Sequence, residues 1–154
     1  KEFPGQYIIP EGGAGKEGEK GAAEIIHYAD GKNYTHIACA IGTGTMFNGI
    51  KLATSLNQKI LGIVVLKGWK VKNETTNTEM FLNYHFGGYA KVANELMEFM
   101  NDFEKQFNIP LDPIYTAKMA FGIMDLIKKK FFEAGSTILV IHTGGLQGRT
   151  GFNS

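Results

Sequence analysis

Cysteine occurs once in the 154 residues, proline four times and tryptophan once, and the net charge is only +1. A lone Cys39 excludes a disulfide within the chain and suits a reducing, cytoplasmic setting. The near-balance of charge removes the basic footprint that nucleic acid or an anionic membrane surface would require. The longest apolar runs are strand-sized, too short for a membrane-spanning helix. No basic-then-apolar leader opens the chain, which speaks against a signal peptide, and the start at Lys1-Glu2-Phe3-Pro4 reads as the middle of a protein. His27, His36, His85 and His142 have no metal-ligand spacing, so no metal is expected. Asn33-Tyr34-Thr35 and Asn73-Glu74-Thr75 fit the glycosylation pattern only by accident in such a chain.

What the chain does have is a run from His36 to Gly49, about which the rest is organised. His36–Ile41 reads as a buried strand, Gly42–Thr45 as a tight turn, and Met46–Leu56 as a helix with Met46, Phe47, Ile50, Leu52, Ala53 and Leu56 apolar at helical spacing. Such a turn exposes backbone N–H groups at the positive end of a helix dipole, a setting that favours a phosphate. The hydroxyls of Thr43 and Thr45 add donors. A third glycine of the dinucleotide pattern is missing, and so is a Gly-Lys-Ser/Thr turn, which leaves a nucleotide-binding domain as the weakest reading.

Around this run the elements alternate. Tyr7–Pro10 reads as a short strand and Glu17–Ala29 as a modest amphipathic helix stopped by Asp30-Gly31. Ile60–Leu66 is a continuous β-branched run, the pattern of a strand covered on both faces. From Lys67 to Gly88 there is no periodicity, only a long loop with scattered aromatics. Tyr89–Phe107 and Ile114–Phe132 read as helices, the second ending in Lys128-Lys129-Lys130, where the dipole favours cations and solvent takes the side chains. Thr137–His142 reads as a third buried strand and ends in a second glycine turn, Thr143-Gly144-Gly145, beside which His142 is placed to brace the backbone. The alternation gives an α/β fold, a three-layer αβα arrangement about a parallel sheet, with both glycine turns at strand carboxyl ends where they can share a pocket.

Five stretches together resemble a family. They are Ile9-Pro10-Glu11-Gly12-Gly13, Ala40–Thr45, Gly87-Gly88-Tyr89, Leu111–Lys118 and His142–Leu146. In order and spacing they resemble the fold-type II pyridoxal-phosphate enzymes, in the group of D-cysteine desulfhydrase and 1-aminocyclopropane-1-carboxylate deaminase. The resemblance implies an incomplete tryptophan synthase β-like large domain, with residues 1–154 forming the C-terminal part of the cofactor-binding domain. It implies pyridoxal 5'-phosphate as cofactor, its phosphate held by Gly42, Thr43, Gly44 and Thr45, with Thr116, Thr143 and Gly144 at the ring. It places Tyr89 and Tyr115 at the substrate end, where a phenol with a lowered pKa relays protons. On their own the two tyrosines read as a helix-start aromatic and a helix-packing residue.

The deaminases of the group carry a glutamate where this chain has Thr116, whereas the desulfhydrases resemble it there and in the Thr143-Gly144-Gly145 turn. A neutral hydroxyl beside the pyridine nitrogen leaves a weaker electron sink. That suits loss of a good thiol leaving group: the α-proton leaves, sulfide departs, and pyruvate and ammonia follow. The expectation is therefore a lyase acting on a small amino acid, with deamination of the cyclopropane amino acid as the alternative. The family's Schiff-base lysine has no counterpart here, and Lys16, Lys20 and Lys118 do not match it. This chain alone is then expected to be inactive, needing an N-terminal half that supplies the amine. A catalytically silent phosphate-binding piece is the competing reading. Family members tend to be homodimers.

Overall fold

The computed structural model describes residues 5–29, 33–69 and 75–151. Its centre is a four-stranded parallel sheet in the order β3-β2-β1-β4. Strand β1 (His36–Ile41) pairs on one side with β2 (Lys59–Val64) from His36↔Lys59 to Ile41↔Val64. On its other side it pairs with β4 (Ile138–Val140) from His36↔Ile138 to Ala38↔Val140. Strand β3 (Thr78–Phe81) closes the far edge against β2.

The two faces of the sheet follow from side-chain alternation along β1 and β2. Ile37, Cys39, Ile41, Ile60 and Val64 pack with Phe47 and Ile50 of helix α2 (Thr45–Ala53), and Ile25 and Ile26 close over them. Ala38, Leu61 and Ile63 point the other way, onto Met119, Ile123 and Leu126 of helix α4 (Thr116–Lys128). Helix α3 (Asn94–Phe107) lies outside α4 and buries Leu96 and Met100 against Leu111, Ala117 and Ala120. Helix α1 (Lys16–Ala23) crosses α2 closely and adds a bond from Asn48 Nδ2 to Glu19 Oε1 at 2.8 Å. The sheet therefore lies between helical layers, the αβα arrangement expected from the alternation.

Several boundaries differ from the sequence reading. Tyr7–Pro10 is not a strand: it is exposed and pairs with nothing among the described residues, since neither sheet edge lies beside it. The Lys67–Gly88 stretch contains β3, whose Thr-Glu-Met-Phe carries no two-residue alternation because only one side has a neighbour. The helix expected from Tyr89 starts five residues later, at Asn94, because Gly87, Gly88 and Ala90 have positive φ. The helix from Glu17 tightens into a 3-10 turn at Glu24–Tyr28, and the Asp30-Gly31 stop lies outside the described residues. The helix expected to reach Phe132 ends at Lys128, with Lys130 left-handed at φ 57°. Residues 137–142 form only a three-residue edge strand, and its Val140 is 38% exposed, so this strand is not buried as expected. Among the described residues, no helix is long and apolar enough to cross a membrane.

The crossing of α1 and α2 depends on Gly49. A Cβ there would meet Glu19 O at 2.5 Å, Ala22 Cβ at 2.6 Å and Ala23 N at 2.8 Å, mostly backbone that cannot swing aside. Gly49→Ala gains up to about 1 kcal/mol of helix propensity, but forcing the helices apart costs about 1–3 kcal/mol. We predict a net loss of about 1–2 kcal/mol by these two opposing effects, read as a lower urea midpoint. A midpoint at or above that of the parent chain refutes the close crossing.

Candidate active site

All four strands run the same way, so the segments leaving β1 and β4 emerge side by side at the carboxyl edge of the sheet. The segment after β1 is Gly42-Thr43-Gly44. Gly44 takes φ 95°, a left-handed geometry that glycine adopts without strain, and this lets α2 begin immediately after the strand. No side chain caps α2. The first bond there runs from Asn48 N to Gly44 O at 2.9 Å, so the preceding N–H groups have no partner within the helix. Thr43 Oγ1 and Thr45 Oγ1 lie 3.1 Å apart at this mouth. A Cβ on Gly12 would meet Thr43 Oγ1 at 2.5 Å, so the Glu11–Gly13 turn is folded down onto the same mouth.

The segment after β4 is held from both sides by His142. Gly144 N donates to His142 Nδ1 at 3.1 Å, which makes Nδ1 the acceptor and leaves Nε2–H to donate to Pro110 O at 2.9 Å. The bracing of the Thr143–Gly145 turn by His142 is therefore seen directly, and the neutral Nε2–H tautomer follows from the bonding. Beyond the turn, the 3-10 segment Leu146–Gly151 is tied to α3 by the ion pair of Arg149 and Glu104, N···O 2.5 Å.

Between these turns is a cavity of about 580 Å³. Its wall brings together Gly42, Thr43, Gly44, Thr45, Thr143, Gly144 and Tyr115 of the expected site residues. Two of the expected residues are not in it. Thr116 is wholly buried, and its hydroxyl is engaged with Asp112, donating to Oδ2 at 2.7 Å and accepting from Asp112 N at 2.8 Å. Tyr89 is 60% exposed and stands outside the wall, edge-on to Tyr115 with ring centroids 6.4 Å apart. The phenol of Tyr115 is pushed up from its ordinary value, first by burial and then by Tyr89, Asp112 and Glu11. The shift runs opposite to the lowered pKa that was expected, and the neutral phenol has a hydrogen to donate.

Asp112 was not singled out from the sequence, although it lines the cavity and is 1% exposed. Its Oδ1 accepts from Ile114 N and Tyr115 N at 2.9 and 2.8 Å, and its Oδ2 from Thr116 N at 2.9 Å as well as the Thr116 hydroxyl. The carboxylate thus gathers the N–H groups entering α4. The available signal was Asp112-Pro113, a capping residue followed by the proline that favours a first helical position. Among the described residues, no lysine, arginine or histidine is in the cavity wall; its charged members are Glu11 and Asp112. Lys118 is wholly buried on α4, and Lys20 is exposed beside Glu17.

No protein-family model matches the chain. A protein of Pyrococcus furiosus, provisionally named 1-aminocyclopropane-1-carboxylate deaminase, is 32% identical over 92% of this chain and 50% of its own length. The mitochondrial bifunctional D-cysteine desulfhydrase/1-aminocyclopropane-1-carboxylate deaminase of Arabidopsis thaliana is 30% identical, over 96% of this chain and 43% of its own length. A crystal structure of an ACC deaminase homologue, 32% identical, superposes with a TM-score of 0.79 over 93% of this chain and 50% of that one. The fold is α/β and matches that solved homologue, and over more than nine-tenths of its length the chain is homologous to proteins named 1-aminocyclopropane-1-carboxylate deaminase or D-cysteine desulfhydrase. It spans about half the length of the curated relatives it matches.

Removing the Asp112 carboxylate strands the N–H groups at the start of α4 and the buried Thr116 hydroxyl. Asp112→Ala is expected to cost about 2–3 kcal/mol, a lost cap plus an unsatisfied buried group, with Asp112→Asn falling between it and the parent. The check is urea unfolding of the three proteins; a loss below about 0.5 kcal/mol for Asp112→Ala, the size of an ordinary surface substitution, would show that the cap does not hold α4.

Proposed function

We propose that this chain is the phosphate-holding, substrate-facing half of a pyridoxal 5'-phosphate-dependent lyase acting on a small amino acid. The observation that carries the reading is the open N-terminus of α2, uncapped and facing a cavity walled by Thr43, Thr45 and a second glycine turn. The residues present fit the phosphate end of that cofactor. The mouth offers backbone N–H groups, two hydroxyls and the helix dipole, and Tyr115 approaches Gly42 so closely that a Cβ there would lie 3.0 Å from Tyr115 Cε1, tighter than an ordinary contact.

When bound, the cofactor supplies the electron sink that lets an α-proton leave and a β-substituent depart. The chain's own residues do the rest. Thr43, Gly44 and Thr45 hold the phosphate. Thr143 offers a neutral hydroxyl in the cavity wall, where it can donate to a pyridine nitrogen without protonating it. Tyr115 presents a protonated phenol to the same space and holds a proton ready for delivery. The amine that anchors the cofactor comes from outside this set, because no lysine is among the wall residues. Activity therefore requires a further stretch of protein, and a reducing compartment such as the cytoplasm suits the buried Cys39 thiol, pushed up to about 12 by burial.

Within the family we favour D-cysteine desulfhydrase-like α,β-elimination to pyruvate, sulfide and ammonia. Support comes from two threonines: Thr116, where the resemblance gives the deaminases a glutamate, and Thr143, whose turn resembles that of the desulfhydrases. Of the two, Thr143 stands in the cavity wall and Thr116 is buried against Asp112. The provisional names of the archaeal relatives support the second reading, a deaminase of the cyclopropane amino acid.

Two experiments test this. Purified protein mixed with pyridoxal phosphate is read by its visible spectrum, then reduced with borohydride, and any modified lysine is mapped. This chain alone is expected to bind the cofactor without a Schiff-base band localised to one of its lysines, and to gain that band with the half that supplies the amine. A single modified lysine within residues 1–154, with full turnover, would overturn the division of the site. With the completed protein, D-cysteine is expected to turn over faster than 1-aminocyclopropane-1-carboxylate; the reverse preference selects the deaminase.

A further inference from the structure

Lys118 is wholly buried, yet it forms no ion pair among the described residues and stands outside the cavity wall. Its ammonium donates to two backbone carbonyls, His85 O at 3.0 Å and Gly88 O at 2.7 Å. Burying a cation is costly, and an apolar side chain would fill the same space without that cost. The two carbonyls belong to a segment whose backbone is held in an unfavourable shape: Phe86, Gly87, Gly88 and Ala90 have φ of 51°, 98°, 121° and 53°. Left-handed geometry at Phe86 and Ala90 persists only where surrounding structure imposes it. The segment's internal bonds, Gly88 N to His85 O at 2.9 Å and Lys91 N to Gly88 O at 3.2 Å, use the same two carbonyls that Lys118 holds.

The position of Lys118 gives this arrangement a use. It lies one helical turn after Tyr115 on α4, and Gly88 directly precedes Tyr89. One side chain therefore ties the backbone that carries Tyr89 to the helix that carries Tyr115. We propose that Lys118 is a positioning residue that clamps the 85–90 segment onto α4 and so fixes Tyr89 edge-on against Tyr115. Tyr89 is largely exposed. The segment also rests on α4 through Phe86, edge-on to Phe121 with ring centroids 5.0 Å apart, and the Tyr89 and Tyr115 phenols hydrogen-bond. Lys118 is nonetheless the group that holds the backbone carbonyls of His85 and Gly88. Lys118 acts through position, since it is not among the groups that shift the Tyr115 phenol. The consequence for turnover rests on the reading that Tyr115 faces the substrate; the clamp itself does not.

The test separates the two. Lys118→Met keeps an unbranched buried side chain and removes every donor. In the 154-residue chain, the amides of Gly88 and Lys91 are expected to exchange at least tenfold faster in the variant, while those of β1 and β2 keep their protection. Ring-to-ring nuclear Overhauser contacts between Tyr89 and Tyr115 are expected to disappear. Unchanged exchange together with retained ring contacts overturns the clamp. Should the variant fail to fold, the unmutated chain decides: ¹⁵N spectra of the lysine side chains are expected to show one slowly exchanging ammonium coupled across hydrogen bonds to the His85 and Gly88 carbonyls, and its absence refutes the proposal. In the completed enzyme, kcat is expected to fall tenfold or more with KM within twofold. Loosened loop amides with unchanged kcat leave the clamp standing and remove Tyr89 from the proposed chemistry.

Discussion

The structure depends on the two-sided pairing of β1. β2 pairs along the whole of β1 and β4 along its first three residues, helices cover both faces, and every side chain of the strand is buried except Ala40, which is half-buried at the cavity wall. A strand so enclosed has one register and one exit. Because its neighbours are parallel to it, the turn that leaves β1 and the turn that leaves β4 are delivered to the same edge. The cavity is thus a consequence of strand direction: Thr43 and Thr143 are a hundred residues apart in the chain and share a wall because two parallel strands end beside each other.

The core of this arrangement was legible in the sequence, and the reasons are physical. His36–Ile41 was readable to the residue because a strand buried on both faces admits only apolar or small side chains, and Gly42-Thr43-Gly44 bounds it sharply. The edge strands were harder. β3 has one neighbour and mixed burial, so nothing forces an alternation on Thr78–Phe81; β4 is shorter and more exposed than its apolar run implied. Tyr7–Pro10 has the composition of a strand but no partner among the described residues, and composition alone does not create a hydrogen-bonding edge. In the site, the two glycine turns were placed at strand carboxyl ends from the residues themselves, whereas Tyr115 came from the family resemblance; the structure brings all of them to one cavity wall. Thr116 was expected at the cofactor ring, and Asp112 was not singled out. Their separation of four residues sets both at the start of one helix, and only the geometry shows that the aspartate faces the cavity while the threonine supports it from behind.

That arrangement decides where an anion can sit. Two uncapped or capped helix starts, those of α2 and α4, reach the cavity, and each carries about half a positive charge at its N-terminus. At α4 the Asp112 carboxylate already takes the N–H groups of Ile114, Tyr115 and Thr116, so that pole is neutralised and would repel a second anion. At α2 no side chain intervenes. Among the described residues the cavity wall has no cationic side chain, so on the proposed reading a phosphate would take the Thr43–Thr45 mouth, with Thr143 and Tyr115 left as uncharged donors toward the rest of the cofactor. The proposed division of the site has a physical rationale in the same wall. An amine placed there would face the carboxylates of Glu11 and Asp112, which favour its charged and non-nucleophilic form. An amine held elsewhere in the protein would escape both carboxylates and could stay reactive, which is why the proposed function assigns it to a stretch other than this wall.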